Sequence, residues 1–108
     1  MPRALTVSRV TVAAGKEEEY LAAVAELAVL LERRGQNLWV FRNPRKAGQF
    51  LEFTESPSPI SHRSRASRTG EELKVERRLA AVAEYAADAW ELWSEVPLAG
   101  SPTDQPEE

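Results

Sequence analysis

Asp88-Ala89-Trp90-Glu91-Leu92-Trp93-Ser94-Glu95-Val96 decides the fold of this 108-residue chain. Nothing from Ala86 to Ser94 breaks a helix, so local propensity alone would carry a preceding helix to about Ser94, with Trp90 and Trp93 on its apolar stripe. The same residues also alternate. Trp90, Leu92, Ser94 and Val96 fall on one parity and Ala89, Glu91, Trp93 and Glu95 on the other, which is the period of a strand. A strand entered through a turn at Asp88 is the better reading, because it completes the order β-α-β-β-α-β.

Working upstream, Thr69 with Glu72 three residues on forms a capping-box pattern for a second helix whose buried face is Val75, Leu79, Val82 and Ala86. Asn37 to Arg42 and Gln49 to Glu55 are rich in aromatic and β-branched residues. They flank Asn43-Pro44-Arg45-Lys46-Ala47-Gly48, a turn signal, and read as a hairpin. The first helix is expected over 16–34, with acids in its first turn, the stripe Tyr20, Val24, Leu27, Leu31, and Gly35 at the left-handed position after its end. Leu5 to Val12 reads as a strand. Its apolar positions change phase, so either both faces are partly buried or a bulge lies near Ser8-Arg9. The fold class is therefore α+β, ferredoxin-like, with a four-stranded antiparallel sheet and two helices on one face. A single domain is expected over residues 1–98 and a disordered acidic tail over 99–108, where Gly100, Pro102 and Pro106 stand among polar residues.

Composition excludes several classes. With no cysteine there is no disulfide framework, thiol nucleophile or thiolate metal site, and with one histidine there is no multi-His metal centre. The net charge of −3 comes from 17 acidic and 14 basic residues, and Asp104, Glu107 and Glu108 lie in the tail, leaving 14 of each sign in residues 1–100. A neutral body has no field to draw nucleic acid. The hairpin segment Lys46 to Phe53 resembles part of an RNA-recognition motif, but Ala47 and Gly48 occupy the places of its glycine and first aromatic, and Thr6 stands where a stacking aromatic is wanted. No apolar run is long enough to span a membrane, and the start leads into strand-like sequence, so a cytoplasmic protein is expected.

In such a fold the helix-free face of the sheet should be polar if the monomer is complete. Here both parities are apolar: Trp39 and Phe41 against Leu38 and Val40, Phe50 against Leu51 and Phe53, Trp90 and Leu92 against Trp93. An uncovered face of that kind calls for a second sheet, so a homodimer is expected.

The βαββαβ order, Ala14-Gly15-Lys16-Glu17-Glu18-Glu19-Tyr20 at the start of the first helix, and Phe50-Leu51-Glu52-Phe53-Thr54-Glu55-Ser56 before a His-bearing segment resemble the dimeric α+β barrel superfamily over residues 4–98. That group includes antibiotic-biosynthesis monooxygenase-like proteins, haem-degrading monooxygenases and the ligand-binding domains of Lrp/AsnC-type regulators. The resemblance implies two sheets meeting face to face and a ligand held in each subunit between its sheet and helices.

Candidate ligand-binding residues are Trp39, Phe41, His62, Arg9 and Arg42. Arg9 and Arg42 fall on otherwise apolar parities and must find a partner such as Glu52 or Glu55, sit at a sheet edge, or face a polar ligand; ion pairing is the expected fate. His62, in a Pro/Ser/Arg segment, reads as an exposed loop residue. Arg63, Arg65 and Arg68 beside the second helix form a patch suited to an anion, unless neighbouring acids neutralise it. The aromatics Trp39, Phe41, Phe50, Phe53, Trp90 and Trp93 could line a pocket for a flat substrate, although at strand spacing they read first as core or interface. The leading expectation is a dimeric α+β barrel protein binding a small organic molecule, with no cofactor. The alternatives are a cofactor-independent or haem-linked monooxygenase, with Trp39, Phe41 and His62 near the substrate, and a structural or regulatory oligomeric module.

Overall fold

The computed structural model describes residues 2–58 and 68–98 of the chain. The elements are β1 (Ala4–Val12), α1 (Glu17–Glu32), β2 (Asn37–Arg42), β3 (Gln49–Ser56), α2 (Gly70–Val82), β4 (Ala83–Tyr85) and β5 (Trp93–Ser94). They form one antiparallel sheet in the order β2-β3-β1-β4, with β5 also on β1. This is the ferredoxin-like arrangement that the sequence implies. The tail and the segment carrying His62 lie outside the described residues.

The register of β1 on β3 runs without a break from Ala4↔Ser56 to Thr11↔Gln49, so β1 has no bulge against β3. Its phase change arises because both faces are partly covered. Ala4, Thr6, Ser8, Val10 and Val12 are buried, whereas Leu5 and Val7 on the other face are half-buried. The buried parity meets the expected stripe of α1, Tyr20, Val24, Leu27 and Leu31, with Val75, Leu79 and Val82 of α2 and Phe50 of β3 completing the core. Gly35 follows α1 at φ +77°, the left-handed position expected of it.

The segment 83–96 departs from expectation. The second helix stops at Val82 with no breaker, Ala86 is not on it, and the strand comes in two short pieces separated by a turn at Ala87–Trp90. The free edge of β1 accounts for this. Val10 to Val12 pair with Ala83 to Tyr85, Ala13 N donates to the Val82 carbonyl at 2.9 Å, and Ala4 and Leu5 pair with Ser94 and Trp93. Edge pairing and the hydrogen bonds it supplies outweigh the good local helix propensity of Ala83 to Ala86, which spans only a few tenths of a kcal/mol per residue. Between the pieces, the turn buries Ala89 completely, and its carbonyl accepts from the Ser8 hydroxyl at 3.0 Å. Trp90 therefore sits in the turn and not in a strand.

At the far end of the molecule the capping box is present, with Glu72 N donating to Thr69 Oγ1 at 3.1 Å and Thr69 N to Glu72 Oε1 at 3.2 Å. Glu72 is 2% exposed and also accepts from Arg34 Nη1 at 2.7 Å, which joins the end of α1 to the start of α2. None of the helices among the described residues is long and apolar enough to cross a membrane.

Candidate functional site

The buried face of β3 is Phe50, Glu52, Thr54 and Ser56, so past Phe50 it is polar under the helices. Glu52 is 1% exposed. The hydroxyls of Tyr20 (α1) and Tyr85 (β4) both donate to its Oε2, each at 2.6 Å, so one carboxyl oxygen ties three elements together. Short O–H···O contacts to a carboxyl are among the stronger hydrogen bonds available. Glu52 Oε1, by contrast, has no hydrogen-bond partner, and neither has the hydroxyl of Thr6, which is also 1% exposed. Register puts Ser8 opposite Glu52 and Thr6 opposite Thr54, so Thr6 is the diagonal neighbour of Glu52 on the same face. No cation among the described residues pairs with Glu52. A buried acceptor left without a donor costs about 1–3 kcal/mol, so Glu52 Oε1 calls for a donor from outside the protein, an ordered water or a ligand.

Beside this layer lies a cavity of about 370 Å³ between α2 and the split edge strand, walled by Leu79, Ala83, Tyr85 and Trp90 with Arg68 and Glu76 at its polar side. The Trp90 ring stacks on Tyr85 at 5.7 Å and 21°, and Tyr85 carries one of the hydroxyls bonded to Glu52. An aromatic wall whose hydroxyl reaches a buried carboxyl suits a flat organic molecule bearing a hydrogen-bond donor.

The residues singled out from sequence are distributed over both faces of the sheet. Trp39 and Phe41 stand on the open face, 49% and 57% exposed, with Phe53 and Trp93; Phe41 meets Phe53 edge-on at 5.4 Å. Phe50 is core, packed on Tyr20 at 4.9 Å, and Trp90 alone of the six aromatics lines the cavity beside α2. Arg9 and Arg42 do form ion pairs, but with Asp88 (3.2 Å) and Glu17 (3.3 Å) instead of Glu52 or Glu55. Arg9 points to the open face while Glu52 points to the helices, so strand parity forbids that pairing. Arg42 also lies over the Phe50 ring at 5.3 Å. Arg68 is neutralised by Glu76 at 2.8 Å, and His62, Arg63 and Arg65 lie outside the described residues. At the rim of the open face, two hydrogen bonds from the Arg3 guanidinium and one from its backbone N–H hold the Glu95 carboxyl down at about 2.

Glu52, Thr6, Tyr20 and Tyr85 do not stand out as a group in the sequence. The available signal was parity: once Phe50 is placed under the helices, Glu52, Thr54 and Ser56 must follow it there, and three polar residues on a buried face call for a purpose.

No family model matches the sequence, and no curated protein matches it either. Solved structures do. SnoaB, a cofactor-independent oxygenase from Streptomyces nogalater, superposes with a TM-score of 0.73 at 18% identity, over 94% of this chain and all of its own. A Nitrosomonas europaea protein provisionally assigned as an antibiotic biosynthesis monooxygenase gives 0.70 at 11% identity, covering 87% of this chain and 90% of its own. Another with the same provisional assignment, from Chloroflexus aurantiacus, gives 0.66 at 18%, covering 94% and 97%. At these identities the likeness is one of fold. The chain has the fold of the antibiotic-biosynthesis monooxygenase-like α+β barrel proteins.

Proposed function

We propose that this chain is a homodimeric α+β barrel protein that takes a small, flat organic molecule between its sheet and its helices, entering along Tyr85 and Trp90 and donating a hydrogen bond to Glu52. The observation that carries this reading is Glu52 itself, a carboxyl 1% exposed with Oε2 doubly bonded by tyrosine hydroxyls and Oε1 lacking any donor. A ligand hydroxyl or N–H would donate to Glu52 Oε1, and the aromatic wall of Tyr85 and Trp90 would bury its ring. Pairing through the open face would cover Trp39, Phe41, Phe53 and Trp93.

The test is binding of 2-naphthol against its methyl ether, followed by calorimetry. The phenol should bind about tenfold more tightly than the ether, and Glu52→Gln and Trp90→Ala should each weaken it about tenfold, the loss expected for one good contact. Equal affinity for phenol and ether, or affinity untouched by both substitutions, would overturn the reading.

Glu52 also favours a second reading, a cofactor-independent monooxygenase, the activity named for SnoaB. A carboxyl beside a bound phenol is placed to take its proton, leaving an electron-rich ring anion of the kind that reacts with O2. Oxygen uptake dependent on 2-naphthol and abolished in Glu52→Gln would support it; binding without uptake leaves the first reading standing.

A further inference from the structure

Across the sheet from Tyr85 and Trp90, where the β2–β3 hairpin closes, lies a second cavity, of about 490 Å³. Its lining brings together Arg9, Arg42 and Lys46 with Phe41, Phe50 and Gln49, and contains no carboxylate. In a chain whose residues 1–100 carry 14 charges of each sign, three cations around one hollow with no acid in its wall make a locally positive site.

The cations are held in place but not used up. Asn43 Oδ1 accepts from the backbone N–H groups of Arg45 (2.9 Å) and Lys46 (3.2 Å), and Asn43 N donates to the Gln49 carbonyl at 2.8 Å. Gly48 is pinned from two sides, its N–H donating to Glu17 Oε2 at 3.1 Å and its carbonyl accepting from Val12 N at 2.8 Å. The loop that presents Lys46 is thus fixed, and its ammonium has no partner among the described residues. Arg9 and Arg42 pair with Asp88 and Glu17 through exposed contacts of 3.2 and 3.3 Å, and Arg42 also lies over the Phe50 ring. Pairs of this kind are worth little and yield to a better-placed anion.

We infer that this hollow binds a small organic carboxylate, with Lys46 and Arg42 taking the carboxylate and Arg9 adding its charge. A planar guanidinium and a nearby ammonium suit a carboxylate. The site is separate from the Glu52 layer and does not depend on it. Phe41 and Arg9 belong to the face proposed to pair, but Lys46 stands in the hairpin loop and Arg42 on the opposite parity, so pairing leaves the two cations that take the carboxylate in reach.

The test uses the whole protein and three probes, 1-naphthoate, neutral 1-naphthamide and inorganic phosphate, followed by calorimetry. Naphthoate should bind at least about tenfold more tightly than naphthamide, and Lys46→Gln and Arg42→Gln should each weaken it by about that factor. Asp88→Asn, which releases Arg9, should tighten it, giving a gain of function that misfolding cannot mimic. Trp90→Ala should leave it unchanged, which separates failure here from failure of the Glu52 reading. Competition by phosphate would extend the site to other anions while supporting its charge selectivity. Equal affinity for naphthoate and naphthamide, no naphthoate binding up to about 10 mM, or naphthoate binding indifferent to Lys46→Gln, Arg42→Gln and Asp88→Asn would overturn the inference.

Discussion

The chemistry of this protein rests on single side chains whose roles follow from parity. Tyr20 reads from sequence as one position in a helical stripe, and it is core, but its hydroxyl also satisfies Glu52. Tyr20→Phe keeps the ring on Phe50 and removes only that bond. It should cost about 1–2 kcal/mol in denaturant unfolding, the price of losing one buried hydrogen bond to a carboxyl; a change under a few tenths would mean that Tyr85 alone suffices. Gly48 shows a backbone constraint equally local. It has φ +78°, and an added Cβ would stand 2.8 Å from the Val12 carbonyl oxygen. Gly48→Ala should therefore destabilise by about 2 kcal/mol or more, since both strain and contact oppose it. A neutral Gly48→Ala would show that the hairpin end shifts freely. Glu52 was legible in the sequence as a strand acid but not as a site, because a site needs the tyrosines that α1 and β4 bring to it.

At the scale of elements, β1, α1 and the β2–β3 hairpin were legible because their periodicity and turn residues agree with their surroundings. The last segment was not. The alternation from Trp90 to Val96 is real, yet only Trp93 and Ser94 pair, because Ala83 to Tyr85 had already taken the other end of the β1 edge and the intervening turn is anchored by Ala89 on Ser8. What local sequence leaves undecided, the free edge of β1 decides. The short β5 is secured by Arg3 and Glu95: Glu95 N donates to the Arg3 carbonyl at 2.8 Å, and the Arg3 guanidinium grips the carboxylate. Glu95 has its folded value near 2 against an ordinary 4.5, so its contribution is whole above pH 4.5 and is lost as the pH falls from there through 2. NMR titration should give a Glu95 midpoint near 2, with the Trp93 and Ser94 amide shifts following it. A midpoint at 4.5 with β5 shifts unmoved would show that the clamp does not form in solution.

For the whole molecule, the two faces of the sheet present opposite problems. The helix side has enough apolar residues for a core and spends its remaining positions on hydroxyls and a carboxyl, which is costly unless a ligand repays it. The open side carries Trp39, Phe41 and Trp93 about half exposed, with Leu5, Val7, Leu51 and Phe53 between them, and no element among the described residues covers it. The open apolar face was legible in the strands as apolar residues on two parities, but the polar layer was not, because which parity faced the helices emerged only with the register. A second sheet over the open face would bury roughly 800 Å² per subunit, enough for a stable pair. Static light scattering at low micromolar concentration tests this most directly. The wild type should weigh twice its 12.0 kDa chain mass, and Phe41→Glu should be driven to monomer or aggregate; a monodisperse wild-type monomer would contradict the pairing of open faces.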